Sequence, residues 1–358
     1  MIFQNTIVQL VALFIPNKKI RHDFRTKYKR KTKFRKLRDD NRSLFNEVNF
    51  LKEEIAYIKQ ALWEINREAR SESSITPIDD FIPPGPKTNV YLSIACIAKN
   101  EGSYIKEWIE YHKLIGVERF YFYDNESTDN TKEVLEPYIK TGTVVYRIIK
   151  NNPVKPHKPQ LEAFKDAVYK YKNQTRWMAL IDLDEFIVPV EKDSLKEFLK
   201  DYEPFPGIAV NWVVFDSNGH DKRPTEHSGL VTANYTRVRK DYSIGRNIFV
   251  KSIVNPKRVV NIVTAHYPFY YMDFYNVTEN FEPARGEMIR HSSSKIRINH
   301  YESKSREEYE QKLLRNSKVG YKNYQFDKDQ VNFTTETTDD LVIQRFIPKL
   351  KKAMKIID

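Results

Sequence analysis

The sequence predicts an α/β fold, with a mostly parallel sheet covered by helices on both faces and preceded by an N-terminal coiled-coil helix. From residue 90 onward, apolar runs of strand length alternate with amphipathic runs of helix length. This order is typical of a parallel sheet whose crossover connections are helices. Before residue 71, apolar residues recur with a heptad period instead, which predicts a coiled coil.

The composition is that of a globular chain with one sizeable domain and an appendage, or with two modest domains. Hydrophobic residues make up 40% of the 358 residues and aromatic residues 13%, which excludes a disordered chain. Cys96 is the single cysteine, so an intrachain disulfide and a cysteine-based zinc site are both excluded. A reducing compartment is favoured.

The positive charge is concentrated near the N-terminus. Residues 18–42 hold 13 Lys and Arg against three Asp, and so supply +10 of the net charge of +12. The rest of the chain is close to neutral, which argues against nucleic acid as a partner. The apolar run at residues 7–15 is too short to span a bilayer. We expect residues 1–36 to form a membrane-associating segment that holds the chain peripherally on the anionic cytoplasmic face. The alternative is a solvated basic helix that docks on its own protein.

A coiled-coil helix is predicted over residues 37–70. Its seam consists of Leu37, Asn41, Leu44, Val48, Leu51, Ile55, Ile58, Leu62 and Ile65. A homo-oligomer formed through residues 37–65 is favoured over a helix packed on its own domain, and a polar residue at core position 41 often fixes register. Residues 71–87 contain four prolines and form the predicted linker.

The main domain is predicted over residues 88–320, with a helical tail over residues 321–358. We expect strands at 90–98, 119–123 and 143–149, and helices at 104–114 and 132–138. In such sheets, ligands bind beyond the carboxyl ends of the strands.

The loop at residues 124–131 follows the second strand, where a nucleotide would be held. Asp124 is expected to accept hydrogen bonds from a ribose or a base edge, and Asp129 to do the same. Taken alone, the loop is better explained by helix capping by Asp129 and its neighbours, without a ligand.

Three carboxylates end an apolar run that begins at residue 176: Asp182, Asp184 and Glu185. Buried carboxylates need positive partners, which are either Lys and Arg side chains or a divalent cation. Residues spaced i and i+2 on an extended chain point to the same side, so we expect Asp182 and Asp184 to converge. Mg²⁺ or Mn²⁺ takes oxygen ligands of this kind.

Five motifs in consistent order together resemble glycosyltransferase family 92, a family of the GT-A type related to family 2. They are Ile97-Ala98-Lys99-Asn100-Glu101, Trp108-Ile109-Glu110-Tyr111-His112, Tyr123-Asp124-Asn125-Glu126-Ser127-Thr128-Asp129, Asp182-Leu183-Asp184-Glu185-Phe186 and Ile298-Asn299-His300-Tyr301. The resemblance spans roughly residues 90–320. It implies a GT-A fold, a nucleotide-sugar donor such as UDP-galactose, a divalent metal, and inversion at the anomeric carbon.

This resemblance assigns roles to individual residues. Asp184 is the first choice as metal ligand, with Asp182 on the metal or the ribose and His300 completing the shell. The residues expected to contact the donor are Asn100, Asp124, Asp129, His157 and Asp182. A general base must take the proton of the acceptor hydroxyl, and Asp216 and Glu185 are the candidates together with His220. Structural explanations stay open for His300, as a buried histidine, and for His157, in a proline-rich loop.

The expected function is transfer of a galactose-like hexose from a nucleoside-diphosphate sugar to a glycan or lipid-linked glycan. Two alternatives remain at this point. One is a non-catalytic scaffold with a degenerate transferase domain. The other is a metal-dependent phosphotransferase or nuclease, although no Walker-type glycine-rich loop is found.

Overall fold

The computed structural model describes residues 90–150, 159–271, 274–318 and 328–356. All of these belong to one compact unit, Ile78–Asp358. The predicted segments at 1–36, 37–70 and 71–87 lie outside the described residues, and so does the predicted donor contact His157.

The described residues form strands and helices that alternate through the first half of the unit. The strands are β1 (Val90–Ala98), β2 (Arg119–Asp124), β3 (Val144–Ile148), β4 (Thr175–Leu180), β5 (Glu185–Pro189), β6 (Gly207–Val214), β7 (Arg237–Arg239), β8 (Val250–Val254), β9 (Val259–Ile262), β10 (Pro268–Tyr270), β11 (Asn276–Val277), β12 (Pro283–Ala284), β13 (Ile296–His300) and β14 (Thr337–Asp339). The α-helices are α1 (Gly102–Leu114), α2 (Thr131–Lys140), α3 (Pro159–Tyr171), α4 (Leu195–Leu199), α5 (Val231–Asn234), α6 (Arg306–Lys318), α7 (Lys328–Val331) and α8 (Ile347–Met354). Short 3₁₀ helices lie at Lys200–Tyr202, Glu226–Gly229, Gly245–Ile248, Pro256–Arg258 and Val342–Phe346.

The central sheet is mixed but mostly parallel, as the sequence predicts. Its strands lie in the order β12-β11-β6-β8-β4-β1-β2-β3, and β13 joins it by pairing with β6 and β5. Strands β1, β2, β3, β4, β6 and β13 run in one direction, whereas β8 and β5 are antiparallel to their neighbours. The coarse α/β prediction is therefore confirmed.

The first elements agree closely with the sequence prediction. The bounds of β1 are those predicted, and α1 begins two residues earlier than predicted, at Gly102. A side chain at this position would not fit, because a Cβ there would lie 2.2 Å from the side-chain oxygen of Asn130. The apolar run through residue 187 is not one strand, since β4 ends at Leu180 and a turn precedes β5.

Helix α1 holds β5 through three side chains that bond to its backbone. The indole N–H of Trp108 donates to the carbonyl of Glu185 at 2.8 Å, and the Tyr111 hydroxyl donates to the carbonyl of Ile187 at 2.9 Å. The Ile187 N–H donates to Nε2 of His112 at 3.2 Å, and Nδ1 of that ring bonds the carbonyl of Trp108. His112 is therefore a neutral imidazole with one fixed tautomer.

The C-terminal residues complete the core. Strand β14 pairs antiparallel with β7. Phe346 and Leu350 are buried in the main hydrophobic cluster, and the Phe346 ring meets the Tyr111 ring edge-on at 5.6 Å. Nowhere in the described ranges does a helix reach the length and apolarity that a membrane crossing requires.

We predict that His112 makes stability depend on acidity. Burial lowers its pKa to about 3, so the unfolded chain takes up a proton near pH 6.5 that the folded chain excludes. The contribution of His112 to the free energy of unfolding is fully present above about pH 6.5. It is lost as the pH falls toward 3, by about 1.4 kcal/mol per pH unit. In urea unfolding between pH 7 and pH 4, the free energy of unfolding should fall with decreasing pH less steeply in His112→Gln than in wild type, by the slope that one proton contributes. The exposed His227→Gln is the control; equal slopes in His112→Gln and wild type would contradict the prediction.

Candidate active site at the carboxyl edge of the sheet

Five parallel strands deliver polar side chains to one edge of the sheet. Some of these side chains are the last residue of a strand and others come shortly after it. They are Asn100 after β1, Asp124 on β2, Asp182 and Asp184 after β4, Asp216 after β6, and His300 on β13. Within the described ranges, the topology therefore places the site residues predicted from the sequence at the edge where ligands bind in such sheets.

Lys251 lies under this edge and carries the charge that balances two of the carboxylates. Its ammonium is 2.8 Å from Oδ2 of Asp182 and 3.8 Å from Oε1 of Glu185. The lysine is 1% exposed and the glutamate is fully buried. Burial lowers the pKa of Lys251, but the two carboxylates outweigh it and hold that pKa above its usual value. Gln160 on α3 also donates to Asp182.

Asp182 and Asp184 lie on a turn rather than on an extended strand, so the spacing argument for their convergence does not apply, and their convergence stays a prediction. Residues 182–185 form a turn closed by a 3.2 Å bond from the Glu185 N–H to the Asp182 carbonyl. Alternation of side chains holds only on an extended chain. Asp184 accepts a 2.7 Å hydrogen bond from Lys312 on α6.

Asp184 and His300 form the pair that suits a divalent cation. Oδ1 of Asp184 lies 3.7 Å from Nε2 of His300. Two ligand bonds of about 2.1 Å can meet on one ion when their atoms are up to about 4.2 Å apart, so the pair fits. No set of three such side chains converges on a metal position in the described ranges. Mg²⁺ and Mn²⁺ sites that use substrate phosphates commonly have only one or two protein ligands.

The charges around this pair shift two pKa values. Burial lowers the pKa of His300, but the neighbouring carboxylate of Asp184 outweighs burial and raises that pKa. Burial raises the pKa of Glu185 to about 7, against the attraction of Lys251. One oxygen of Glu185, Oε1, and Nδ1 of His300 are buried without a hydrogen-bond partner in the described part of the chain.

The predicted donor contacts also join two loops. Oδ1 of Asn100 accepts the Thr128 N–H at 2.7 Å, and Oδ2 of Asp129 accepts the Gly102 N–H at 2.9 Å. Asp124 accepts the Tyr146 hydroxyl at 2.6 Å and the N–H of residue 127 at 2.8 Å. The bonds of Asn100 and Asp129 hold the loops after β1 and β2 together. Donor binding by the three residues stays a prediction.

Asp216 is the centre of an ion pair. Its carboxylate accepts from Arg237 at 2.8 Å and from the backbone N–H groups of Asn218 and Phe333 at 2.9 and 3.0 Å. The side chain is fully buried and links β6, β7 and the segment after α7. A role as general base stays a prediction for Asp216 and for Glu185.

Sequence reasoning missed the two lysines that balance the carboxylates. Lys251 stands inside the apolar strand Val250–Val254, and a lone charge in such a run is a signal for a buried ion pair. Lys312 gives no comparable signal, because lysine is ordinary on an amphipathic helix. Only the tertiary fold brings it to Asp184.

The fold and the polar side chains at the carboxyl edge of the sheet define an α/β protein with a candidate cation site at Asp184 and His300. The loops after β1 and β2, which are hydrogen-bonded to each other, lie at the same edge. The model of glycosyltransferase family 92 matches residues 89–345, so the chain belongs to glycosyltransferase family 92.

The similarity to curated relatives covers only part of this chain and part of each relative. A family 92 glycosyltransferase of Oryza sativa subsp. japonica is 26% identical over 57% of this chain and 35% of its own length. The galactan beta-1,4-galactosyltransferase GALS3 of Arabidopsis thaliana is 31% identical over 28% of this chain and 22% of its own. The chain thus spans well under two thirds of either relative. Among solved structures, S. aureus TarS 1-349 is 14% identical over 67% of this chain and 68% of that chain, with a TM-score of 0.32.

We predict that removing Lys251 destabilises the fold strongly. Lys251→Met leaves two carboxylates facing each other without a cation and should lower the free energy of unfolding at pH 7 by about 3–5 kcal/mol. Adding Glu185→Gln to this variant should recover part of the lost free energy of unfolding, because it removes one of the two negative charges.

Urea denaturation of the single and double variants measures both effects. Lys192→Met, which breaks an exposed pair with Asp201, is the control and should cost less than about 1 kcal/mol. A Lys251→Met loss as small as that of the control would contradict the prediction.

Proposed function

We propose that the chain is a GT-A glycosyltransferase that transfers a galactose-like hexose from a nucleoside-diphosphate sugar to a glycan acceptor, with inversion. The observation that carries the proposal is the Asp184–His300 pair, at 3.7 Å, on the carboxyl edge of the sheet. Membership of family 92 supports the reaction class. The names of three Arabidopsis thaliana relatives, each a galactan beta-1,4-galactosyltransferase, support galactose as the sugar.

The site residues divide the work of one displacement. The acceptor oxygen forms a bond to the anomeric carbon while the bond from that carbon to the β-phosphate oxygen breaks, and its electron pair leaves with the diphosphate. Asp184 and His300 would hold Mn²⁺ or Mg²⁺, which supplies Lewis-acid stabilisation of the leaving group. Lys251 holds Asp182 and Glu185 in place at the carboxyl edge of the sheet.

The proton of the acceptor hydroxyl passes to a carboxylate. Asp216 has both oxygens engaged by Arg237 and backbone donors. Glu185 has one oxygen, Oε1, without a hydrogen-bond partner in the described ranges, which distinguishes it from Asp216. That oxygen is buried 3.8 Å from Lys251, so it must become accessible before it can take the proton. A UDP-sugar is the favoured donor, and a surface polysaccharide or lipid-linked glycan the favoured acceptor.

We predict metal-dependent hydrolysis of one donor by the purified chain. A panel of UDP-, GDP- and CMP-sugars, with and without Mn²⁺, should yield a single nucleoside diphosphate. Asp184→Asn and His300→Ala should each lower that rate more than about 100-fold, because each removes a ligand of the cation. Asp201→Asn, at an exposed carboxylate, is the control. No binding or turnover of any donor with metal present would favour the non-catalytic scaffold.

We also propose, from the sequence alone, that residues 1–36 hold the enzyme on the anionic cytoplasmic membrane face and that residues 37–65 join copies of the chain. The basic block at 18–42 supports the first part and the heptad seam the second.

Vesicle co-sedimentation tests the membrane contact. The full chain should bind vesicles containing phosphatidylserine at low salt, and less at 0.5 M salt, because the attraction between the basic block and the lipid is screened. Replacing the Lys and Arg of 18–36 by Gln should abolish binding. Equal binding to vesicles of phosphatidylcholine alone would contradict an electrostatic contact.

A further inference from the structure

Helix α6 has a defined start that sets where its side chains lie. Ser305 and Glu308 form a reciprocal capping box: the serine N–H and hydroxyl donate to Oε2 of Glu308 at 3.1 and 2.6 Å, and the Glu308 N–H returns a 3.4 Å bond to the serine oxygen. Tyr309 is buried one position later. Lys312, one turn beyond, is thereby brought to the end of β4.

The ammonium of Lys312 is held by two acceptors. It donates to Oδ2 of Asp184 at 2.7 Å and to the carbonyl of Glu302 at 3.3 Å. An ammonium has three protons, and the described residues provide no acceptor for the third. The side chain is 29% exposed, so part of its length is accessible from solvent.

The same carboxylate is thus shared between a lysine and the candidate cation site. Oδ2 of Asp184 faces Lys312, whereas Oδ1 faces Nε2 of His300. A divalent cation on Asp184 and His300 would lie beside a positive ammonium, and like charges repel. It would also withdraw negative charge from the carboxylate that holds the lysine.

We propose that Lys312 is the resident counter-cation of Asp184, that it competes with the divalent cation for this carboxylate, and that it donates to the diphosphate of the bound donor. The inference rests on the proposed function, because the diphosphate belongs to the nucleotide-sugar. A lysine suits the exchange, since its compact charge sits on a flexible four-carbon stem. The oxygens of a diphosphate are strong acceptors for such a group.

Two variants and one control separate this role from a structural one. Lys312→Met removes the charge and keeps most of the stem, and Lys312→Arg restores the charge. Lys196→Met is the matched control, because Lys196 also pairs from a helix with a carboxylate, Glu118, and is 32% exposed. Thermal melting followed by circular dichroism establishes that each full-length variant folds.

The first readout is Mn²⁺ binding without donor, followed by electron paramagnetic resonance. Lys312→Met should bind Mn²⁺ at least about fivefold more tightly than wild type, because the competing charge is gone. The second readout is UDP binding at saturating Mn²⁺, measured by calorimetry. There Lys312→Met should bind at least about fivefold more weakly, because a donor to the diphosphate is lost. Lys312→Arg should remain within about twofold of wild type in both, and Lys196→Met should match wild type.

The possible failures are distinguishable. If folded Lys312→Met binds Mn²⁺ and UDP as wild type does, the inference is overturned and the proposed function stands. If Mn²⁺ binding weakens in Lys312→Met, the claim that Lys312 competes with the cation for Asp184 is overturned, and the proposed function stands. A wild-type chain that binds neither Mn²⁺ nor UDP overturns the proposed function itself.

Discussion

The charge balance at the end of β4 is the constraint on which the rest of the site depends. Asp182, Asp184 and Glu185 lie within four residues at the end of a buried strand, and unpaired buried carboxylates are costly. Two lysines from distant parts of the chain meet this cost: Lys251 beneath the edge and Lys312 at its rim. The antiparallel strand β8 and the capped helix α6 are therefore needed at these places for charge reasons as well as for packing.

The backbone around these charges is fixed from the opposite side. Trp108, Tyr111 and His112 bond the backbone of β5. The turn at residues 182–185 therefore connects the central strand β4 to a strand that α1 holds in place. On the other flank, β13 pairs with both β5 and β6 and places His300 opposite Glu185. A frame of this kind suits a site that keeps two candidate cation ligands close together.

Much of this architecture follows from local sequence. The bounds of β1 and the alternation that gives a parallel sheet depend on runs of apolar residues, which burial selects directly. The positions of Asp184 and His300 at strand ends follow for the same reason. The turn between Asp182 and Glu185 did not follow, because the apolar run suggests a continuous strand there. Nor did the pairing of Arg237 with Asp216, since only the tertiary fold brings them together across 21 positions.

Diffraction at the manganese absorption edge, from crystals of the full chain grown with Mn²⁺ and UDP, tests the proposed site most directly. We expect one anomalous peak between the carboxylate of Asp184 and Nε2 of His300, with diphosphate oxygens bound to the same ion. Bound UDP without a peak at Asp184, or a peak held by Asp182 alone, would contradict the assignment of the cation to this pair.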